Sequence, residues 1–138
     1  MSKSDEDQNA FILLADDADT IRRKIKRSVT DSVGAVNYSD EQPGIKNLLE
    51  IYSKLDNKSI EEIVGMYEGK GYGIFKEDVA EVIVESLRPI RDKYNDLLNN
   101  KDYLETVYAM GASKAEQQAR KTLRKVYKKV GLIERKFL

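Results

Sequence analysis

The stretch Phe75-Lys76-Glu77-Asp78-Val79-Ala80-Glu81-Val82-Ile83-Val84-Glu85-Ser86-Leu87-Arg88-Pro89-Ile90-Arg91-Asp92-Lys93-Tyr94-Asn95-Asp96-Leu97-Leu98 decides the fold. Val79, Val82, Ile83, Ser86, Leu87, Ile90, Tyr94, Leu97 and Leu98 recur at steps of one, three and four, which places them along one side of a helix. The spacing predicts one long amphipathic helix. Pro89 lies inside it, leaves the Glu85 carbonyl without its helical donor, and should kink the helix at a cost of about 3 kcal/mol. Packing along so long a stripe can outweigh that cost.

Downstream, Asn99-Asn100 breaks the pattern, and Asn100 is placed to cap a last helix from Lys101 to about Val130, weakened at Gly111 and stopped by Gly131. At about 100° per residue, Ala115, Ala119, Leu123, Val126, Tyr127 and Val130 share one side. Lys114, Arg120, Lys121, Arg124, Lys125, Lys128 and Lys129 share the other. The apolar side is expected to pack on the rest of a bundle, and the basic side to face water or a ligand.

Upstream, Gly69-Lys70-Gly71-Tyr72-Gly73 has glycine spacing that invites a phosphate-loop reading. It lacks a following Lys-Ser/Thr and a preceding strand, so a helix stop and tight turn fit better. Ser59 and Glu62 form a capping box for a helix carrying Ile60, Ile63, Val64 and Tyr67; such a cap contributes about 1 kcal/mol. Pro43 suits the first position of the preceding helix, whose stripe is Ile45, Leu48, Leu49, Tyr52 and Leu55. Residues 31–42 read as a loop. Asp17 should cap a first helix running to about Val29 or Thr30, with Asp19 in its first turn and Ile21, Ile25 and Ser28 or Val29 inside. Arg22 to Arg27 carry five bases in six residues and read as a solvated face, with direct RNA contact as the alternative. Phe11-Ile12-Leu13-Leu14-Ala15 is too short for a helix and reads as a strand or buried extended segment. Tyr67, Tyr94 and Tyr127 fall on apolar stripes and read as core aromatics, with base-stacking platforms as the alternative. The chain is therefore expected to be all-α, a helical bundle of four to five helices with a flexible N-terminal loop.

Composition narrows the chemistry. The 138 residues suffice for one compact domain, and 35% charged against 41% hydrophobic residues fits a helix-rich globular chain. There are no cysteines and no histidines, so disulfides, thiolate or imidazole metal sites, cysteine nucleophiles and histidine bases are excluded within this chain. No metal site is expected. No apolar run approaches the roughly 18 residues of a membrane span, and no signal-peptide pattern opens the chain, so a cytoplasmic address is the default expectation. Net charge is zero, yet Ser113 to Leu138 hold nine Lys/Arg and two Glu, a local +7 against −7 elsewhere. Such asymmetry suits a surface for a polyanion, and equally suits a solvated helix end.

Four stretches together resemble one family, bacterial tryptophanyl-tRNA synthetase. They are Met1-Ser2-Lys3-Ser4-Asp5; Asp19 to Arg27 with Thr30-Asp31; Pro43-Gly44 with Asn47-Leu48-Leu49 and Ile51-Tyr52-Ser53; and Gly69 to Gly73 with Phe75-Lys76. In order and spacing they are similar to that family's C-terminal part, and the resemblance covers essentially the whole chain. It implies a class I aminoacyl-tRNA synthetase, a ligase of protein biosynthesis that activates tryptophan with ATP and esterifies its tRNA.

The resemblance implies that the chain begins inside the KMSKS loop, with the loop's first lysine ahead of Met1. Residues 1–16 would be a remnant of that loop and a linker, and residues 17–138 a helical tRNA (anticodon)-binding domain. Met1, Ser2, Lys3 and Ser4 would bind ATP, and Lys3 would be the catalytic lysine. A mobile ammonium there stabilises charge building on the leaving pyrophosphate, and one such donor is worth about 3 kcal/mol. ATP, with Mg in the intact enzyme, tryptophan and the tRNA for tryptophan are the implied ligands; none is expected bound to this piece alone. The intact enzyme is expected to be a homodimer formed mainly by an upstream Rossmann-type domain, with no membrane partner. Arg120, Lys121, Arg124, Lys125 and Lys128 are the candidate tRNA phosphate contacts. This piece alone is expected to be inactive, and residues 1–8 to be mobile. The alternative is a stand-alone, non-enzymatic helical module binding RNA or protein.

Overall fold

A computed structural model describes residues 7–133. Among them the chain forms five α-helices and no strand: α1 Ala18–Arg27, α2 Pro43–Asp56, α3 Ile60–Met66, α4 Tyr72–Asn99 and α5 Lys101–Val130. A short 3-10 turn, Gln8–Ala10, precedes them. The chain divides into two compact units, Met1–Tyr94 and Asn95–Leu138.

The local signals act where the sequence places them. The Asp17 carboxylate accepts from the Thr20 N–H and caps α1. Pro43 occupies the first turn of α2, and Asn57 ends that helix in the left-handed region at φ 55°. Ser59 and Glu62 close both bonds of the capping box on α3. Gly69, at φ 71°, makes the turn into α4, as the reading of a turn rather than a phosphate loop requires. The Asn100 side chain accepts from Tyr103 N–H to open α5, and Gly131 ends it at φ 73°. Helix α4 continues through Pro89.

The first unit holds the core. Ile21 and Ile25 of α1 meet Ile45, Leu48, Leu49 and Tyr52 of α2, Ile63 of α3, and Phe75, Val79, Ala80, Ile83 and Val84 of α4. Tyr67, at the end of α3, is buried; its ring meets Phe75 edge-on at 5.1 Å and its hydroxyl donates to Asp78 Oδ2 at 2.6 Å.

Several expectations are corrected. Residues 11–15 form no strand, and only the first two are part-buried: Ile12 packs against the core, while Leu13 and Leu14 are exposed. The Asp16 side chain accepts from Leu13 N–H while Asp16 N–H donates to the Leu13 carbonyl, so the backbone closes into a turn where no strand partner exists. Helix α1 stops at Arg27, because both the Ser28 N–H and hydroxyl turn back to the Ile25 carbonyl; Val29 is exposed. Leu55 is also exposed. In the second unit no residue of α5 is buried, so Leu123, Val126 and Val130 stay in water. Among the described residues that unit holds only the tail of α4 and α5, which give no second layer to enclose the stripe. For the same reason Tyr127 is only half-buried, and Tyr94, beyond the last buried turn of α4, is exposed; neither is a core aromatic.

Candidate nucleic-acid interface

Arg120, Lys121, Arg124, Lys125 and Lys128 all lie on α5, which runs on through Gly111 into an Ala-, Gln-, Lys- and Arg-rich half that favours helix. Lys128 and Lys129 sit in the last turn, at the negative end of the helix dipole. Arg120 Nη2 donates to Glu116 Oε1 at 2.6 Å, one turn back, and Arg124 is also engaged. Lys121, Lys125 and Lys128 follow at i, i+4 and i+7 with no ion pair among the described residues. One face of α5 thus presents three uncompensated ammonium groups in a row, the arrangement that neutralises successive phosphates of a nucleic acid.

The basic run on α1 is divided among three fates. Arg22 forms a two-pronged pair with Glu81 of α4, Nε to Oε1 at 2.6 Å and Nη2 to Oε2 at 2.9 Å, and also reaches Asp19 at 3.1 Å. That guanidinium holds the Glu81 carboxyl below its ordinary range. Lys24 is buried, contrary to the solvated face expected: its Nζ meets Asp16 Oδ2 at 2.6 Å and lies 5.5 Å from the centre of the Phe11 ring. An ammonium one turn from Ile21 and beside Ile25 can enter the core only because Asp16 follows it in. Arg23, Lys26 and Arg27 remain exposed, as expected of a solvated face, and Arg23 reaches only Thr20 Oγ1 at 3.4 Å.

A second polar cluster joins α4 to the exit of α1. Tyr72 and Lys76, one turn apart on α4, both reach back to residues 28–31. The Tyr72 hydroxyl donates to Asp31 Oδ1 at 2.5 Å, and Lys76 Nζ donates to the Ser28 carbonyl at 2.8 Å and Thr30 Oγ1 at 3.2 Å. Gln42, also buried, donates to Asp31 Oδ1 and to Tyr72, and accepts from Asn37 N–H. The Tyr72 hydroxyl foremost holds the Asp31 carboxyl below its ordinary value, while burial pushes the Tyr72 phenol up and the Lys76 ammonium down. Sequence reasoning missed this cluster and the Lys24–Asp16 pair. The one-turn spacing of Tyr72 and Lys76 was visible; their partners, more than forty residues away, were not.

Met1, Ser2, Lys3 and Ser4 lie outside the described residues, and so does the expected mobility of residues 1–6. Asp7 and Gln8 are described: Asp7 caps the 3-10 turn that Gln8 begins, by accepting from Asn9 N–H. Among the described residues no three of His, Cys, Asp and Glu gather in a way that could hold a metal, and no helix is long and apolar enough to cross a membrane.

The chain is similar to known proteins along nearly all its length. It is 55% identical over 135 residues to the tryptophan–tRNA ligase of Clostridium perfringens, a match covering 98% of this chain and 41% of that protein. It is 52% identical over 133 residues to the tryptophan–tRNA ligase of Bacillus anthracis, covering 96% of this chain and 40% of that protein. In structure it is similar to the tryptophanyl-tRNA synthetase of Mycoplasma pneumoniae, with a TM-score of 0.59 and 25% identity over 96% of this chain and 41% of that one. The chain thus spans about two fifths of the length of the curated relatives it matches. The family of tRNA synthetases class I (W and Y) matches residues 1–88. With its helices, caps and core in the order described, the chain belongs to the class I tRNA synthetases of the tryptophan and tyrosine group.

Proposed function

We propose that this chain is the C-terminal portion of a tryptophan–tRNA ligase, an enzyme that forms tryptophanyl adenylate from tryptophan and ATP and passes the tryptophan to its tRNA. The observation that carries this is 55% identity to such a ligase along 98% of the chain. Residues 1–16 supply the KMSKS-loop remnant and a linker, and residues 17–138 the helical domain that meets the anticodon arm. Lys3 stabilises the pyrophosphate as it leaves, and Met1, Ser2 and Ser4 complete the loop around the ATP phosphates. Magnesium travels with those phosphates rather than in a cage of this chain's own acids.

Arg120, Lys121, Arg124, Lys125 and Lys128 contact tRNA phosphates, with Lys121, Lys125 and Lys128 contributing most because no carboxylate among the described residues pairs with them. The intact enzyme is a cytoplasmic homodimer whose adenylate-forming domain is not supplied by this chain.

The test is ATP–pyrophosphate exchange with tryptophan, measured on this chain alone and combined with the first three fifths of a tryptophan–tRNA ligase. The chain alone is expected to be silent. The combination is expected to be active, and Lys3→Ala should lower its kcat by roughly 10²-fold, the worth of about 3 kcal/mol. No exchange in the combination, or exchange untouched by Lys3→Ala, would overturn the assignment.

A further inference from the structure

Between α1 and α4 in the first unit lies a groove of about 760 Å³ whose lining includes Arg22, Arg23 and Lys26 from one helix and Lys76 from the other. Its acids are Glu77, Asp78 and Glu81. Two of these are already committed: Glu81 is held by both prongs of Arg22, and Asp78 accepts from the Tyr67 hydroxyl. That leaves Glu77 as the uncommitted acid of the lining against three cations, Arg23, Lys26 and Lys76, none of which has an ion pair among the described residues.

Lys76 is the telling member. Its ammonium donates only to a carbonyl and a hydroxyl, and its surroundings are dry enough to push its titration downward, with no carboxylate restoring it. A part-buried cation hydrogen-bonded only to neutral groups, beside two exposed cations on the facing helix, has the chemistry that receives an anion.

We propose that this groove seats a phosphodiester group of RNA, held by Arg23, Lys26 and Lys76, as a phosphate site separate from α5. This rests on the reading of the chain as the tRNA-binding part of a ligase and adds a second contact. RNA backbone is favoured over a nucleotide: Arg23 and Lys26 are side chains on an open helix face, suited to a continuous strand, and of the Gly69–Gly73 stretch only Tyr72 and Gly73, already wound into the first turn of α4, line the groove, so no open loop of backbone N–H groups is there to cradle a triphosphate.

The test uses the full chain and a short single-stranded RNA, with the affinity measured across a salt series. In R23Q/K26Q the slope of log K against log salt should fall by about 1.4, which at 0.1 M salt is about a 25-fold loss. Both residues are exposed, so unchanged far-UV circular dichroism will show that the variant folds. In the wild-type chain, NMR titration of the Lys76 side chain should move to higher pH when RNA is bound.

K121Q/K125Q on α5 separates the two ideas. If it weakens RNA binding and R23Q/K26Q does not, the groove is overturned while the α5 reading stands. If R23Q/K26Q weakens binding and K121Q/K125Q does not, the groove stands and the α5 contacts fall. Inorganic triphosphate or polyglutamate moving Lys76 more than RNA does would overturn the RNA assignment.

Discussion

Tyr72 and Asp31, 41 residues apart, share a 2.5 Å hydrogen bond that fixes the exit of α1 against the first turn of α4. The other carboxylate oxygen, Asp31 Oδ2, is buried with no partner among the described residues. The phenol is therefore the strongest of the few contacts keeping this charge satisfied. Tyr72→Phe should lower the melting temperature by about 5 °C. Tyr72→Phe with Asp31→Asn should recover part of the loss, since an amide is less costly to leave under-bonded than a carboxylate. Thermal melts of the single and double variants check this; equal losses in both would contradict it.

The same pair sets a pH dependence at both ends. Asp31 titrates below its ordinary value when folded, so its contribution is present above about pH 4, where the unfolded carboxyl is already ionised, and is lost as pH falls through the folded value. Tyr67 and Tyr72 titrate above theirs, chiefly through burial, so their contribution is present below about pH 10 and is lost as pH climbs towards the folded values. Urea midpoints across pH 2–11 should show a plateau with both flanks falling. Asp31→Asn should flatten the acid flank and trim the alkaline one, since the Asp31 carboxylate also helps hold the Tyr72 phenol up, while the part due to Tyr67 stays.

Lys24→Met should destabilise the first unit by about 3 kcal/mol, because it strands the Asp16 carboxylate in the core edge. Lys24→Met/Asp16→Leu should recover most of that, a buried pair being replaceable by apolar side chains of similar volume. Denaturant titration gives both numbers. Amide exchange at residues 9–16 should rise in the single variant, since Asp16 also receives Arg91 through its carbonyl.

Gly44→Ala should cost about 3 kcal/mol. A Cβ at Gly44 would lie 2.2 Å from the Val29 carbonyl oxygen, which is backbone and cannot rotate away. Gly65→Ala on α3, with nothing within 4 Å of its added carbon, serves as the control and should be neutral or slightly stabilising. A Gly44→Ala chain as stable as the control would show that α1 and α2 can separate freely.

The elements legible in the sequence are those set by neighbours along the chain. Asp17, Pro43, Ser59, Asn100 and Gly131 act within a turn of where they stand, and the stripe from Ile45 to Tyr52 needs only helical period to be seen. Period does not say what covers a stripe, which is why Leu123 and Val126 looked like core and are exposed. Nor does it say which cation among five will find an acid. Lys24 and Lys26 look alike in sequence, and only the turn at Leu13–Asp16 brings a carboxylate to one of them. The basic face of α5, on which phosphate contacts are proposed, was readable as a charge pattern; the Lys76 groove was not, since it exists only once α1 and α4 are side by side.

Helix α5 has one further consequence, for cooperativity. Thirty residues at about 1.5 Å each make a rod of roughly 45 Å with no buried residue, so its helical state rests on its caps and on side-chain pairs one turn apart. Such a rod melts gradually, by fraying, while the enclosed core of the first unit melts all at once. The chain should not unfold as a single thermodynamic body: heating should give a broad early loss of ellipticity from α5 followed by a sharp transition, and added salt, by relieving repulsion among the lysines, should move only the first.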